Sequence, residues 1–140
     1  ALREGYVLDH IKAGKAMTIY HDLKLDKLDC TVAIIKNARS NKMGKKDIIK
    51  VECPVENLDL DILGFIDHNI TVNVIKDEKI VAKKELKLPN QVVNVIKCKN
   101  PRCITSIEQG LDQIFVLADK EKEVYRCKYC EEKYTGKRNK

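Results

Sequence analysis

In a strand from Ile70 to Ile75 apolar and polar residues alternate as far as Val74, and again through Ile49, Lys50 and Val51, the period-two signature of strands with one buried face. Between such stretches the period lengthens. Ala13, Ala16, Met17, Tyr20 and Leu23 fall on one face of a helix, as do Leu58, Ile62, Phe65 and Ile66. Around them the chain reads as a first strand from Ala1 to Asp9, broken by a bulge or turn at Gly5, and a second strand from Cys30 to Lys36. Polar residues 37–46 then make a turn into a third strand, Asp47 to Glu52. Pro54 closes that strand, Asn57 is placed to cap the second helix, and Asp59 and Asp61 suit the positive end of its dipole. After His68-Asn69 come the fourth strand, a turn at Asp77-Glu78 and a fifth strand from Ile80 to Leu86. This order, strand–helix–strand–strand–helix–strand with a closing hairpin strand, is that of a ferredoxin-like antiparallel sheet, α+β in class, with two helices on one face.

Alternation then assigns the opposite face. If Ile49, Val51, Val72 and Val74 point at the helices, Ile48, Lys50, Thr71, Asn73 and Ile75 point away. That helix-free face mixes apolar and polar groups, which suits a ligand, a partner or plain solvation. Leu88-Pro89-Asn90-Gln91 reads as a short linker, giving one domain over residues 1–88 and a second over residues 92–140. In the second, Ile114 to Ala118 and Glu123 to Arg126 form a hairpin, and the basic tail from Gly136 to Lys140 reads as mobile.

The second domain carries the sharpest chemical signal. Cys98 and Cys103 (CKNPRC) face Cys127 and Cys130 (CKYC) across a strand-rich loop, and two close cysteine pairs on tight knuckles make a tetrahedral Zn²⁺ site. Two disulfides are the alternative for the same spacing, disfavoured because no secretory feature accompanies them. Four thiolates on one Zn²⁺ leave an excess of negative charge, and Lys97, Lys99, Arg102, Arg126, Lys128 and Lys133 lie beside them in sequence. A site closed by four cysteines has no position for water, so the ion, one per chain, is structural and this small all-β domain folds around it. Cys30 and Cys53 read as small buried hydrophobes in strands rather than redox groups.

Composition adds only bounds. With 44% hydrophobic and 34% charged residues and no apolar run long enough to span a membrane, the chain is expected to be a soluble, cytoplasmic protein without a leader. A net charge of +6 and a pI near 9.0 suit an anionic partner, whether nucleic acid, nucleotide or acidic protein. Read on their own, His10 is a surface or packing histidine, and Lys50 and Lys83 are solvated lysines.

Four signatures change that reading. Gly5-Tyr6-Val7-Leu8-Asp9-His10-Ile11, Met43-Gly44-Lys45-Lys46-Asp47-Ile48-Ile49-Lys50, Thr71-Val72-Asn73, and the cysteine set ending in Cys127-Lys128-Tyr129-Cys130-Glu131 occur in one order over nearly the whole chain. In that arrangement the sequence resembles the regulatory chain of aspartate carbamoyltransferase. The resemblance implies a non-catalytic subunit whose first domain binds nucleotide effectors such as CTP or ATP and whose zinc domain grips catalytic trimers. It also implies pairing with a second regulatory chain, in service of pyrimidine biosynthesis. Carried over by residue, it places Asp9 near a ribose, His10 and Lys83 near phosphates, Lys50 at the sugar or base, and Leu2 and Ile75 against the base; the sheet reading itself sets Asn73 beside Lys50 on the helix-free face. Asn100, Arg102, Tyr129, Glu131 and Glu132 border the knuckles as candidates for the catalytic-chain contact.

Other function classes fit less well. A zinc-ribbon nucleic-acid binder is encouraged by charge, but aromatics are only 5% and Trp is absent, so no stacking platform is evident. A zinc enzyme is opposed by the closed ligand set, and no nucleophile triad can be assembled.

Overall fold

The computed structural model describes residues 3–54 and 58–134. The chain divides into two compact units, the boundary falling between Lys87 and Leu88. In the first, β1 (Glu4–Lys12), α1 (Ala16–Asp22), β2 (Thr31–Ser40), β3 (Gly44–Glu52), α2 (Leu60–Ile66), β4 (Thr71–Lys76) and β5 (Lys79–Glu85) follow in sequence. The sheet is antiparallel, ordered β2-β3-β1-β4-β5, with β1 at its centre. This is the ferredoxin-like arrangement with one strand added at the β4 edge. Tyr6, Leu8 and Ile11 of β1, Ile49 and Val51 of β3, and Val72 and Val74 of β4 form the core with Ala16, Ile19, Leu63 and Ile66 of the helices.

Gly5 is extended and lies within β1, where a Cβ would sit 1.9 Å from the Val51 carbonyl oxygen. It permits close strand contact and does not break the strand. The irregularity falls later, between Leu8 and Ile11, where the pairing with β3 shifts and His10 adopts φ 62°. Leu8 and Ile11 are both fully buried although three residues apart, which an unbulged strand forbids.

Helix stripes differ from the periodicity in detail. Ile19, not Met17, reaches the core; Met17 is exposed, and Ala13 precedes the helix. In α2 the inward residues are Leu63, Phe65 and Ile66, with Leu58 and Ile62 half-buried. Asn57 lies outside the described residues; the cap is Asp59, whose carboxylate accepts from the amides of Asp61 and Ile62. The segment expected as a long polar turn is mostly strand, since β2 runs to Ser40 and β3 begins at Gly44, with a second bulge at Asn37 (φ 58°). Cys30 and Cys53, read from the sequence as unlinked hydrophobes, are joined in a disulfide at the open end of that hairpin.

Asp47 ties these irregular segments together. Fully buried, its carboxylate accepts from the amides of Gly14 and Ala16 at the start of α1 and from Asn37 at the β2 bulge.

The second unit holds a three-stranded sheet, β6 (Gln91–Val93), β7 (Ile114–Asp119) and β8 (Val124–Cys127), with one short helix, α3 (Ile104–Ile107). The expected linker belongs largely to it. Pro89 accepts a hydrogen bond from the Tyr125 hydroxyl, and Asn90 from the amide of Leu117. Among the described residues no helix is long and apolar enough to cross a membrane.

Replacing Asp47 by Ala orphans three amides around a buried cavity. The expected loss is about 3 kcal/mol in urea unfolding of the full chain, with a smaller loss for Asp47→Asn, which keeps an acceptor.

Candidate functional site

Strand register lays out the helix-free face row by row. Lys50 pairs with Val7, Val7 with Asn73, and Asn73 with Lys83, so two lysines and an amide side chain lie in one line across β3, β1, β4 and β5. The core neighbours Tyr6, Leu8, Ile49, Val51, Val72 and Val74 take the opposite side, so this row faces away from the helices. Lys50 and Lys83 are exposed and Asn73 half-buried. Ile75 lies two residues along β4 from Asn73, next to Gly5 of β1. Leu2 lies outside the described residues.

The β1 bulge supplies the rest of this face. Asp9 pairs with Thr71, and the ring Nδ1 of His10 shares a hydrogen bond with the Thr71 hydroxyl. Lys46 forms a 2.9 Å ion pair with Asp9. Partial burial alone would raise the Asp9 pKa, but the Lys46 hydrogen bond, the His10 amide and the nearby positive charge outweigh it and hold the carboxyl below its ordinary 3.8. The sequence marks Thr71 as a face and signature residue and Lys46 as a turn and signature residue, without these bonds. Their bonds depend on the register shift, which strand periodicity does not reveal.

In the second unit, the sulfurs of Cys98, Cys103, Cys127 and Cys130 all lie within 4.8 Å of one another, with Cys98–Cys130 at 3.5 Å and Cys103–Cys127 at 3.7 Å. Thiolates about 2.3 Å from a tetrahedral Zn²⁺ stand about 3.8 Å apart, so the four fit that ion. The first knuckle is built by the Cys103 amide donating to the Asn100 carbonyl. In the second, the Cys127 amide donates to the Glu132 carbonyl and Glu131 adopts φ 63° to turn the chain back. Gln113 accepts from the Cys98 amide, and the Thr105 hydroxyl lies 3.1 Å from the Cys103 sulfur. These two supports were missed because neither belongs to a cysteine pair. Burial pushes the Cys98 thiol up to about 12 and also raises Cys127, whereas the Thr105 hydroxyl brings Cys103 down to about 7. A divalent cation supplies the charge that lets all four ionise side by side.

A cleft of about 240 Å³ beside this centre is lined by Lys97, Lys99, Asn100, Pro101, Glu132, Lys133 and Tyr134, with Phe115 and Cys98 at its floor. Asn100 and Glu132 therefore come together. Arg102, Tyr129 and Glu131 are exposed nearby in sequence but do not line it.

A sheet with a cation-bearing open face, followed by a module whose four cysteines fit a structural metal, makes a two-part protein of the allosteric and metal-binding kind. Residues 1–87 match the family model for the allosteric domain of the aspartate carbamoyltransferase regulatory chain, and residues 90–140 match the model for its metal-binding domain. Regulatory chains from Clostridium acetobutylicum and Clostridium tetani are 53% and 50% identical, covering 97% and 96% of this chain and 92% and 93% of their own length. One from Bifidobacterium longum is 43% identical over 94% of each. The chain belongs to the aspartate carbamoyltransferase regulatory chain family: a non-catalytic subunit with an allosteric and a metal-binding domain, associated with catalytic chains of pyrimidine synthesis.

Two measurements check the geometry. Carbon-detected titration of Asp9 should give a midpoint below 3.8, moving upward in Lys46→Met. Because a lowered folded pKa stabilises above the unfolded value, that contribution should be lost as pH falls through the folded midpoint, and Asp9→Asn should remove it. Strong chelator should unfold residues 90–134 while amide protection in β1, β3 and β4 persists.

Proposed function

We propose that the first unit, residues 1–88, binds nucleotide effectors of the CTP or ATP type on its helix-free face. The second, residues 92–140, docks on the catalytic chain and passes the signal to catalytic trimers. The observation that carries the effector reading is the Lys50–Val7–Asn73–Lys83 row, flanked by Asp9 and His10. A triphosphate needs cations held on rigid elements, and two lysines on neighbouring regions of one sheet offer that. Asp9 takes the ribose hydroxyls and His10 and Lys83 the phosphates. Lys50 and Asn73 address sugar or base, and Ile75, with Leu2, packs on the base.

Asn100, Arg102, Tyr129, Glu131 and Glu132 form the contact with the catalytic chain, supported by the exposure of the last four and by the cleft that Asn100 and Glu132 share. A second regulatory chain pairs along β2, an edge strand carrying half-exposed Val32, Ile34 and Ile35 that would otherwise be open to unwanted strand addition. The assembly acts in the cytoplasm. Coupling between effector and catalytic sites needs only about 1–3 kcal/mol, supplied by differential contacts of each nucleotide in two quaternary states.

Calorimetric titration with CTP and ATP at fixed ionic strength tests the face. Lys50→Ala and Lys83→Ala should each weaken binding about tenfold or more, the loss of a charge-assisted contact. Lys84→Ala is the control, since Lys84 pairs with core-facing Val72 and takes the other side of the sheet; it should change affinity no more than about twofold. Equal effects at all three positions would reject the face. Sizing mixtures with a catalytic trimer, with and without zinc, tests the docking role.

A further inference from the structure

Cys30 and Cys53 stand apart from the metal set. Cys30 directly precedes β2 and Cys53 directly follows β3; their Cα atoms are 5.6 Å apart, an ordinary span for a disulfide. Thr31 and Glu52 form the last rung of the β2–β3 ladder, so the bond sits one residue beyond the paired strands, at the end that has no turn. Within this chain's sheet β2 is an edge strand, bonded to β3 alone. The two residues also differ in exposure, Cys53 being 4% exposed and Cys30 half-buried.

We propose that this pair is a reversible thiol–disulfide clasp, a redox modification site on the first unit that operates independently of the zinc thiolates. Opening begins at the less buried cysteine: a small-molecule thiolate attacks Cys30 Sγ, the S–S bond breaks, and Cys53 leaves as a thiolate that takes a proton. A second small thiolate then attacks the small-molecule sulfur of the mixed disulfide, releasing Cys30 and a small-molecule disulfide. Two small thiols are oxidised and one protein disulfide is reduced. The reverse exchange, driven by a small disulfide such as oxidised glutathione, closes the clasp. The four metal-site cysteines are set apart from this exchange by coordination, and Cys98, Cys103 and Cys127 also by burial. The closed form removes freedom from an unfolded chain that otherwise spans a sequence separation of 23 residues, and it pins the free end of an edge hairpin. This inference does not depend on the effector reading, because nothing in it requires a nucleotide.

The test uses the full chain loaded with zinc and equilibrated in mixtures of reduced and oxidised glutathione. Alkylation with mass counting reads the thiols, and scanning calorimetry with amide exchange reads the fold. Cys30 and Cys53 should convert together while zinc content stays constant. Reduction should lower the melting temperature of the first unit by about 8 °C or more and reduce protection from Thr31 to Ile34. The double variant Cys30→Ser/Cys53→Ser should melt like the reduced chain and ignore glutathione; if it does not fold, Cys30→Ser alone provides the comparison. The proposal is overturned if both thiols stay free even in oxidised glutathione alone, if the disulfide changes neither melting nor protection, or if its reduction releases zinc.

Discussion

The strict two-sidedness of β1 governs the first unit. As the central strand it pairs with β3 on one edge and β4 on the other, so every residue it sends to the core has a polar or small neighbour facing away. A slip of one residue would bury Asp9 and expose Leu8. The bulge modifies this rule at one place only. By inserting an extra residue between Leu8 and Ile11, it keeps both in the core and leaves Asp9 and His10 together at the Thr71 side of the sheet. Two polar side chains in succession, impossible on one face of a regular strand, become available at one site.

Beyond the bulge, the irregular segments on the core side must also be held in place, and the buried carboxylate of Asp47 holds them. Its three amide partners belong to the segment entering α1 and to the second bulge at Asn37, where ordinary ladder bonds are missing. The neighbouring Lys46 reaches Asp9. One dipeptide thus supports the core side of the sheet with Asp47 and its open side with Lys46, as strand alternation requires. The metal unit solves a different problem. Its buried residues include Val92, Phe115 and Tyr125, a small core for a sheet of three strands, and four thiolates converging on one cation supply cross-links that such a core lacks.

Strand order and the cysteine framework were legible because both depend on strong, local patterns: Val72 and Val74 alternating with polar residues, and Asp77-Glu78, whose positive φ values of 51° and 67° make the tight hairpin turn. Helix faces were less so. α1 and α2 span only Ala16–Asp22 and Leu60–Ile66, too short for periodicity to separate Met17 from Ile19 or to favour Leu63. The length of β2 was hidden because edge strands carry polar residues on both faces, so Asn37, Arg39 and Ser40 looked like turn. Pairing of Cys30 with Cys53 was invisible for another reason. It is a contact between the two ends of a hairpin, and only the hairpin's register brings those ends together.

The same register bears on how a ligand at the open face would be felt elsewhere. Lys50 lies on β3, flanked by β1 and β2, and is anchored on both sides. Lys83 lies on β5, which is bonded only to β4 and is the last strand before the chain enters the second unit. Just beyond it, the Lys87 carbonyl packs so closely on Gly64 of α2 that a Cβ there would sit 2.2 Å away. On the proposed reading, an anion held between Lys83 and Lys50 would therefore sit between a strand paired on both sides and one paired on a single side. β5 is also the strand from which the chain runs on into the second unit. The proposed coupling of about 1–3 kcal/mol would require no more than a small shift between two packed arrangements.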